Sequence, residues 1–320
     1  MNADHSHTHG HTSADSDRRW LGGALAVIAG FMLGEVVVGI IAGSLALLSD
    51  AAHMLTDAAS IALALWAIRL SARPAAGRMT YGWRRVEILS AQANGVTLLV
   101  LAAWLAYEAI KRLIHPPQVT GALVLVTALV GVVVNLVATW MISRANRASL
   151  NVEGAFQHIL NDLFAFIATA VAGVMIMVTG FGRADAIATL VVVALMLRAG
   201  IGLVRAASLV FLEAAPQGID PDSIGRAMAA HDSVVEVHDL HVWEITSGEP
   251  ALSAHVIVAP GRDCHATRND LAQLLAHEYG ISHTTLQLDH EASEIGRQDA
   301  AGEHAHCEDP HGPTHRFTGA

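Results

Sequence analysis

Two pairs of side chains repeat one spacing inside stretches that are otherwise apolar. His53 and Asp57 are four residues apart, and so are His158 and Asp162. On a helix that spacing puts both members of a pair on one face. One such histidine would read as an interhelical hydrogen-bonding group. Two pairs meeting would supply two nitrogens and two oxygens, a set that suits tetrahedral Zn²⁺. Co²⁺ or Cd²⁺ would fit the same donors, whereas an all-oxygen set would lean toward a harder ion such as Mn²⁺. Both states of such a site depend on protons, because a metal needs neutral imidazole and ionised carboxylate. An imidazole that titrates near neutral pH can lose its proton on one side of a barrier and regain it on the other.

The elements that hold these pairs read as membrane spans. The chain has 320 residues, of which 53% are hydrophobic and 15% charged, with a positive mean hydropathy. A small soluble core cannot hide that much apolar surface. Crossing a hydrocarbon core takes about 20 residues, and six runs are long enough: 20–42, 45–70, 86–110, 119–143, 152–179 and 184–212. Gly43-Ser44 allows only a tight hairpin, so the first two runs are antiparallel neighbours. Arg18 and Arg19, the five arginines from Arg69 to Arg85, and Arg144 and Arg147 all fall on one side. The opposite loops carry only Lys111, Arg112 and Arg183. The positive side, with both termini, therefore faces the cytoplasm.

Ionisable groups inside a span are expensive and usually face a partner or a water-filled path. Asp50 lies two turns before Asp57 on much the same face, as a pathway group or as a packing and hydrogen-bonding one. Glu35, Gln92, Asn94 and Asn135 read as interhelical hydrogen-bond partners. Asn161 points about 100° away from its neighbour Asp162 and is left outside the site. The sequence has no His-Glu-x-x-His or nucleophile constellation, and four protein ligands would close the metal shell. An enzyme is therefore not expected. A sensor that binds metal without moving it is the alternative to a transporter.

After residue 212 the composition becomes that of a soluble unit. Pro216 ends the last span, and Asp220 is placed to cap a helix over 221–231. Strands over 234–246 and 251–259 flank the turn Ser247-Gly248-Glu249-Pro250. A helix over 266–279 and a strand over 284–290 complete an αββαβ order, an α+β domain. Residues 292–320 are polar and rich in Gly, His and acids, and are expected to be disordered. The formal charge of −10 comes mostly from this last third and the tails, and no basic stripe exists to meet nucleic acid. Cys264 and Cys307 give no disulfide framework and fit a reducing compartment. The polar start carries no cleavable-signal pattern. Histidines number 19, as many as Lys and Arg together. His5, His7, His9 and His11 lie in the tail 1–17; His304, His306, Cys307, His311 and His315 lie in the other. Such tracts capture metal weakly or are simply solvated.

The stretch Ser44-Leu-Ala-Leu-Leu-Ser-Asp-Ala-Ala-His-Met-Leu-Thr-Asp57 resembles the second transmembrane helix of the cation diffusion facilitator family. Thr80-Tyr-Gly-Trp-Arg-Arg-Val-Glu-Ile-Leu-Ser-Ala-Gln-Ala-Asn-Gly95 is similar to the lead into its third. Gly154-Ala-Phe-Gln-His-Ile-Leu-Asn-Asp162 matches its fifth, and Val237-His-Asp-Leu-His-Val-Trp243 the start of its cytoplasmic sheet. The likeness covers residues 18–290, nearest to the bacterial zinc, cadmium and cobalt efflux branch. It implies six transmembrane helices over 18–212 and a ferredoxin-like cytoplasmic domain over 213–291. It also implies a homodimer in a bacterial inner membrane and exchange of divalent metal for protons by alternating access. His53, Asp57, His158 and Asp162 would be the transport ligands. His238, His255 and His265 match positions where relatives bind metal at the dimer interface. Gln287 stands where a binuclear member has a histidine, so a single site drawn from His238, His241, His255, His283 and Asp289 is the expectation. The stretch 71–79 lacks the Asp and His of an extra site in some relatives.

Overall fold

A computed structural model describes residues 9–42, 45–115, 121–147, 149–290 and 312–316. The chain divides into two compact units, Met1–Ser208 and Leu209–Ala320.

The first unit is built from helices α1 (His9–Ala42), α2 (Leu45–Ser71), α3 (Val86–Ile114), α4 (Gly121–Ile142), α5 (Leu150–Thr179) and α6 (Ala184–Phe211). Ser149 caps α5, its hydroxyl accepting from the Val152 amide, and Gly180 ends the helix at φ 70°. That left-handed conformation is one glycine adopts without a Cβ penalty. Helix α1 starts eleven residues earlier than the expected span at 20. The extension is anchored where buried Asp17 accepts from the Asn146 amide at 2.7 Å.

Leu21 and Ile28 of α1, Ile61 and Ile68 of α2, Ile142 of α4 and Ile159 of α5 share one core. Small residues at the crossings, among them Ala24, Ala64, Ala138 and Ala155, let the helices approach closely. Helices α3 and α6 pack separately through Leu98, Ala102, Val192 and Met196. Their crossing is glycine on glycine: a Cβ at Gly200 would lie 3.1 Å from the Gly95 carbonyl oxygen.

The outward faces remain apolar: Leu33, Val100, Trp104, Val126, Val133, Val171 and Val178 are all exposed. An apolar surface of that extent needs a partner other than water. Among the described residues, Val86–Ile114, Leu150–Thr179 and Ala186–Phe211 are long and apolar enough to cross a membrane, and Ala128–Ile142 is a shorter apolar helix.

The second unit contains α7 (Pro221–Ala229), β1 (Val234–Glu244), β2 (Pro250–Val258), α8 (Cys264–Glu278) and β3 (His283–His290). Asp220 and Asp263 cap the two helices, the first accepting from the Asp222 amide and the second from the His265 and Ala266 amides. The strand order is β1-β2-β3, β1 antiparallel to β2 and β2 parallel to β3. Val237, Val242, Leu252 and Val256 meet Ile224 and Met228 of α7 and Leu271 and Leu275 of α8 in one core.

The alternation of strand side chains leaves His238, His255, Gln287 and Asp289 on the other face of the sheet. Asp239, at φ 49°, sits in a β-bulge where the β1–β2 register shifts between His238 and His241. Disorder expected over 292–320 does not extend to 312–316, which pairs with β1 through His315 and Val237.

Candidate metal centre

Helices α2 and α5 bring Asp57, His158 and Asp162 together. Their ligand atoms lie within 4.8 Å of one another, and all three residues are buried. His158 Nε2 is 3.1 Å from Asp57 Oδ1 and 3.9 Å from Asp162 Oδ2. These distances bracket the edge of a tetrahedron with metal–ligand bonds of ~2.1 Å, which is about 3.4 Å. Among the described residues, Nδ1 of His158 is buried with no hydrogen-bond partner. Two carboxylates on one imidazole in an apolar surround suit a divalent cation better than a static hydrogen-bonded pair. His53 lies in α2 one turn before Asp57; its side chain, like those of Glu35 and Asp50, lies outside the described residues.

The register that faces Asp57 toward His158 has a second anchor. Asn151 Nδ2 donates to the Ala64 carbonyl at 2.9 Å. Asn151 is seven residues before His158, and Ala64 is seven after Asp57. Two antiparallel helices are thus pinned at points two turns apart. Sequence reasoning missed Asn151, although a buried amide in the first turn of a span was a legible signal.

Two of the other intramembrane amides bond within their own helix. Asn135 donates to the Gly131 carbonyl one turn back, and Asn161 does the same to Gln157 at 2.7 Å. Asn94 packs against Gly154. A cavity of about 400 Å³ between α5 and α6 is lined by Glu153, Gln157, Asn161 and Arg198 among apolar side chains.

In the second unit, His238, Asp239 and His255 offer ligand atoms within 4.8 Å of one another. His238 and His255 are register partners on β1 and β2, with ring centroids 4.5 Å apart. His255 Nε2 lies 2.7 Å from Asp289 Oδ2. The Gln287 amide donates to the same oxygen at 3.0 Å. Those two hydrogen bonds, Gln287 first, hold the Asp289 carboxyl below its usual range, so it is ionised at neutral pH.

His241, His265 and His283 do not join this group: all three are exposed, and His265 sits in the first turn of α8. The bulge brings Asp239 in instead. Among the tail histidines, His5, His7, His304, His306 and His311, with Cys307, lie outside the described residues. The side chains of His9 and His11 do too.

A helical membrane domain with a buried His/Asp cluster, joined to a cytoplasmic domain of helix and sheet, defines a metal-handling membrane protein. The chain belongs to the cation efflux family. The cation efflux transmembrane domain matches residues 23–212, and the cation efflux protein cytoplasmic domain matches residues 216–291.

Three relatives are similar over most of their length. A cadmium, cobalt and zinc/H(+)-K(+) antiporter of Bacillus subtilis is 36% identical over 83% of this chain and 87% of its own. The zinc transporter ZitB of Escherichia coli is 37% identical over 90% and 92%. The metal cation efflux system protein CzcD of Cupriavidus metallidurans is 37% identical over 90% of each chain.

Proposed function

We propose that this chain exports Zn²⁺ from the cytoplasm in exchange for protons, with Cd²⁺ and Co²⁺ as further substrates. The observation that carries the reading is the convergence of Asp57, His158 and Asp162 from two helices in a water-poor bundle. His53, one turn from Asp57 on the same helix face, completes a His₂Asp₂ set. All four groups bind metal only in forms that have given up acidic protons. Metal and protons therefore compete for the same atoms, and the site exchanges one for the other as it faces first one side and then the other. With four protein ligands no coordination position is left open for catalysis.

The architecture that goes with this reading is a homodimer of protomers with six spans over 18–212. Each carries a ferredoxin-like domain over 213–291, flanked by tails 1–17 and 292–320. The loop arginines support an orientation with both termini in the cytoplasm, and the family likeness supports a bacterial inner membrane. His238, Asp239 and His255, with Asp289 on the His255 ring, form a second, cytoplasmic metal centre. The histidine-rich tails capture cytoplasmic zinc and raise its local concentration.

Flux decides the matter. Purified protein in proton-loaded vesicles takes up Zn²⁺, and Asp57→Ala or Asp162→Ala abolishes uptake. His53→Asp narrows the preference for Zn²⁺ over Cd²⁺. Binding without flux returns the sensor reading.

A further inference from the structure

The segment 312–316 lies along the free edge of β1. Val237 donates to the His315 carbonyl at 2.9 Å, and the His315 amide donates back to the Val237 carbonyl at 2.8 Å. His315 is buried against α7 at Gly225, where a Cβ would lie 2.2 Å from the nearest ring atom. Strand alternation then sends Arg316 to the opposite face, the one that carries the His238 cluster. There its Nε donates to Glu236 Oε2 at 2.6 Å, and its Nη2 lies on the same oxygen. The other oxygen of Glu236 is 3.0 Å from His238 Nδ1, within ion-pair reach although the angle between them closes no hydrogen bond. Glu236 is only 4% exposed.

A metal-binding histidine typically gives its second ring N–H to a carboxylate, which fixes its tautomer and orientation. Glu236 stands beside Nδ1 at the distance of such a carboxylate; a turn of the ring closes the bond and leaves Nε2 for the metal. A buried carboxylate is costly unless a charge compensates it. Arg316 is that charge. We propose that the C-terminal segment 312–316 is a working part of the cytoplasmic metal centre: docked on β1, it holds Glu236 through Arg316, and Glu236 positions His238. The ligand is a divalent cation of the Zn²⁺ class. Arg316 and Glu236 are positioning residues, and the assignment rests on reading His238, Asp239 and His255 as a metal centre.

The full-length protein with Asp57→Asn and Asp162→Asn, which silences the transport site, is titrated with Zn²⁺ against a chelating dye. His238→Ala must remove the tighter binding. If it does not, the cytoplasmic centre itself is wrong, and the assignment of the tail falls with it. In the same background Arg316→Ala weakens that binding about tenfold or more, the range that outer carboxylate partners command. Arg316→Lys restores most of it.

Gly225→Ala is the independent variant, because its Cβ occupies the His315 ring position and evicts the segment without touching Glu236 or Arg316. It exposes the Val237 amide to hydrogen exchange and weakens Zn²⁺ to the same degree. Affinity within twofold of the parent when that amide has lost its protection overturns the proposal. So does unchanged affinity in Arg316→Ala.

Discussion

Asp57 is the residue on which charge and shape can be separated. Its carboxylate is buried against His158 at 3.1 Å with Asp162 close behind, so the imidazole faces two carboxylates. Removing one partner of a buried pair is costly where it leaves the other uncompensated, but Asp57→Asn keeps a polar oxygen of the same shape against His158 and leaves Asp162 in place. Asp57→Asn should therefore leave the midpoint of thermal unfolding in detergent unchanged, while zinc flux falls at least ~100-fold (about 2.7 kcal/mol). A variant that unfolds earlier and still transports would reverse both halves of this account.

Asp57, His158 and Asp162 were visible in the sequence because helical spacing and an apolar surround single them out; the side chain of His53 lies outside the described residues. Asp239 was not visible. It reaches His238 and His255 only because the bulge sets it at φ 49°, and strict alternation places it on the opposite face. Glu236 was equally hidden, since its role depends on Arg316, distant in sequence and close only across the sheet edge.

Between elements, what matters is the register of α2 on α5. The Asn151–Ala64 hydrogen bond and the Asp57–His158 contact pin it at two levels. An interhelical hydrogen bond in a membrane contributes about 0.6–1.7 kcal/mol. Asn151→Leu removes the upper pin and leaves every ligand in place. Zinc affinity at the transport site is expected to drop about 3- to 18-fold by equilibrium titration, with residual flux. Total loss would make Asn151 something other than a clamp, and no change would make the register self-sufficient.

The order α7-β1-β2-α8-β3 was readable from turn signals and alternation, and Asp220 caps its helix as the residue pattern implied. Most element ends moved by two residues or fewer, and the end of α3 by four. The larger differences are the early start of α1 and the pairing of 312–316. Both arise from contacts remote in sequence, Asp17 with Asn146 and His315 with Val237, which no local pattern announces.

For the whole molecule, proton exchange makes the direction of transport depend on the gradient across the membrane. In vesicles energised by a pH gradient, a protonophore should stop zinc uptake and release zinc already accumulated, followed with a trapped fluorescent indicator. Uptake that continues after the gradient collapses would mean that metal moves down its own gradient without exchange.

The bundle was legible as membrane helices because outward-facing Val100, Trp104 and Val133 are the same residues that raise the hydropathy. The proposed homodimer comes from resemblance alone, since contact between copies leaves no spacing pattern in one chain.

The docked C-terminal segment also bears on how this protein behaves when it is shortened. Sheet order leaves β1 with one unpaired side, and a bare strand edge is a template for any other extended chain. A version cut after His290 would present that edge on every molecule, ready to zip with its neighbours. The last few residues are, in that sense, the selvedge that keeps the cloth from fraying into fibres.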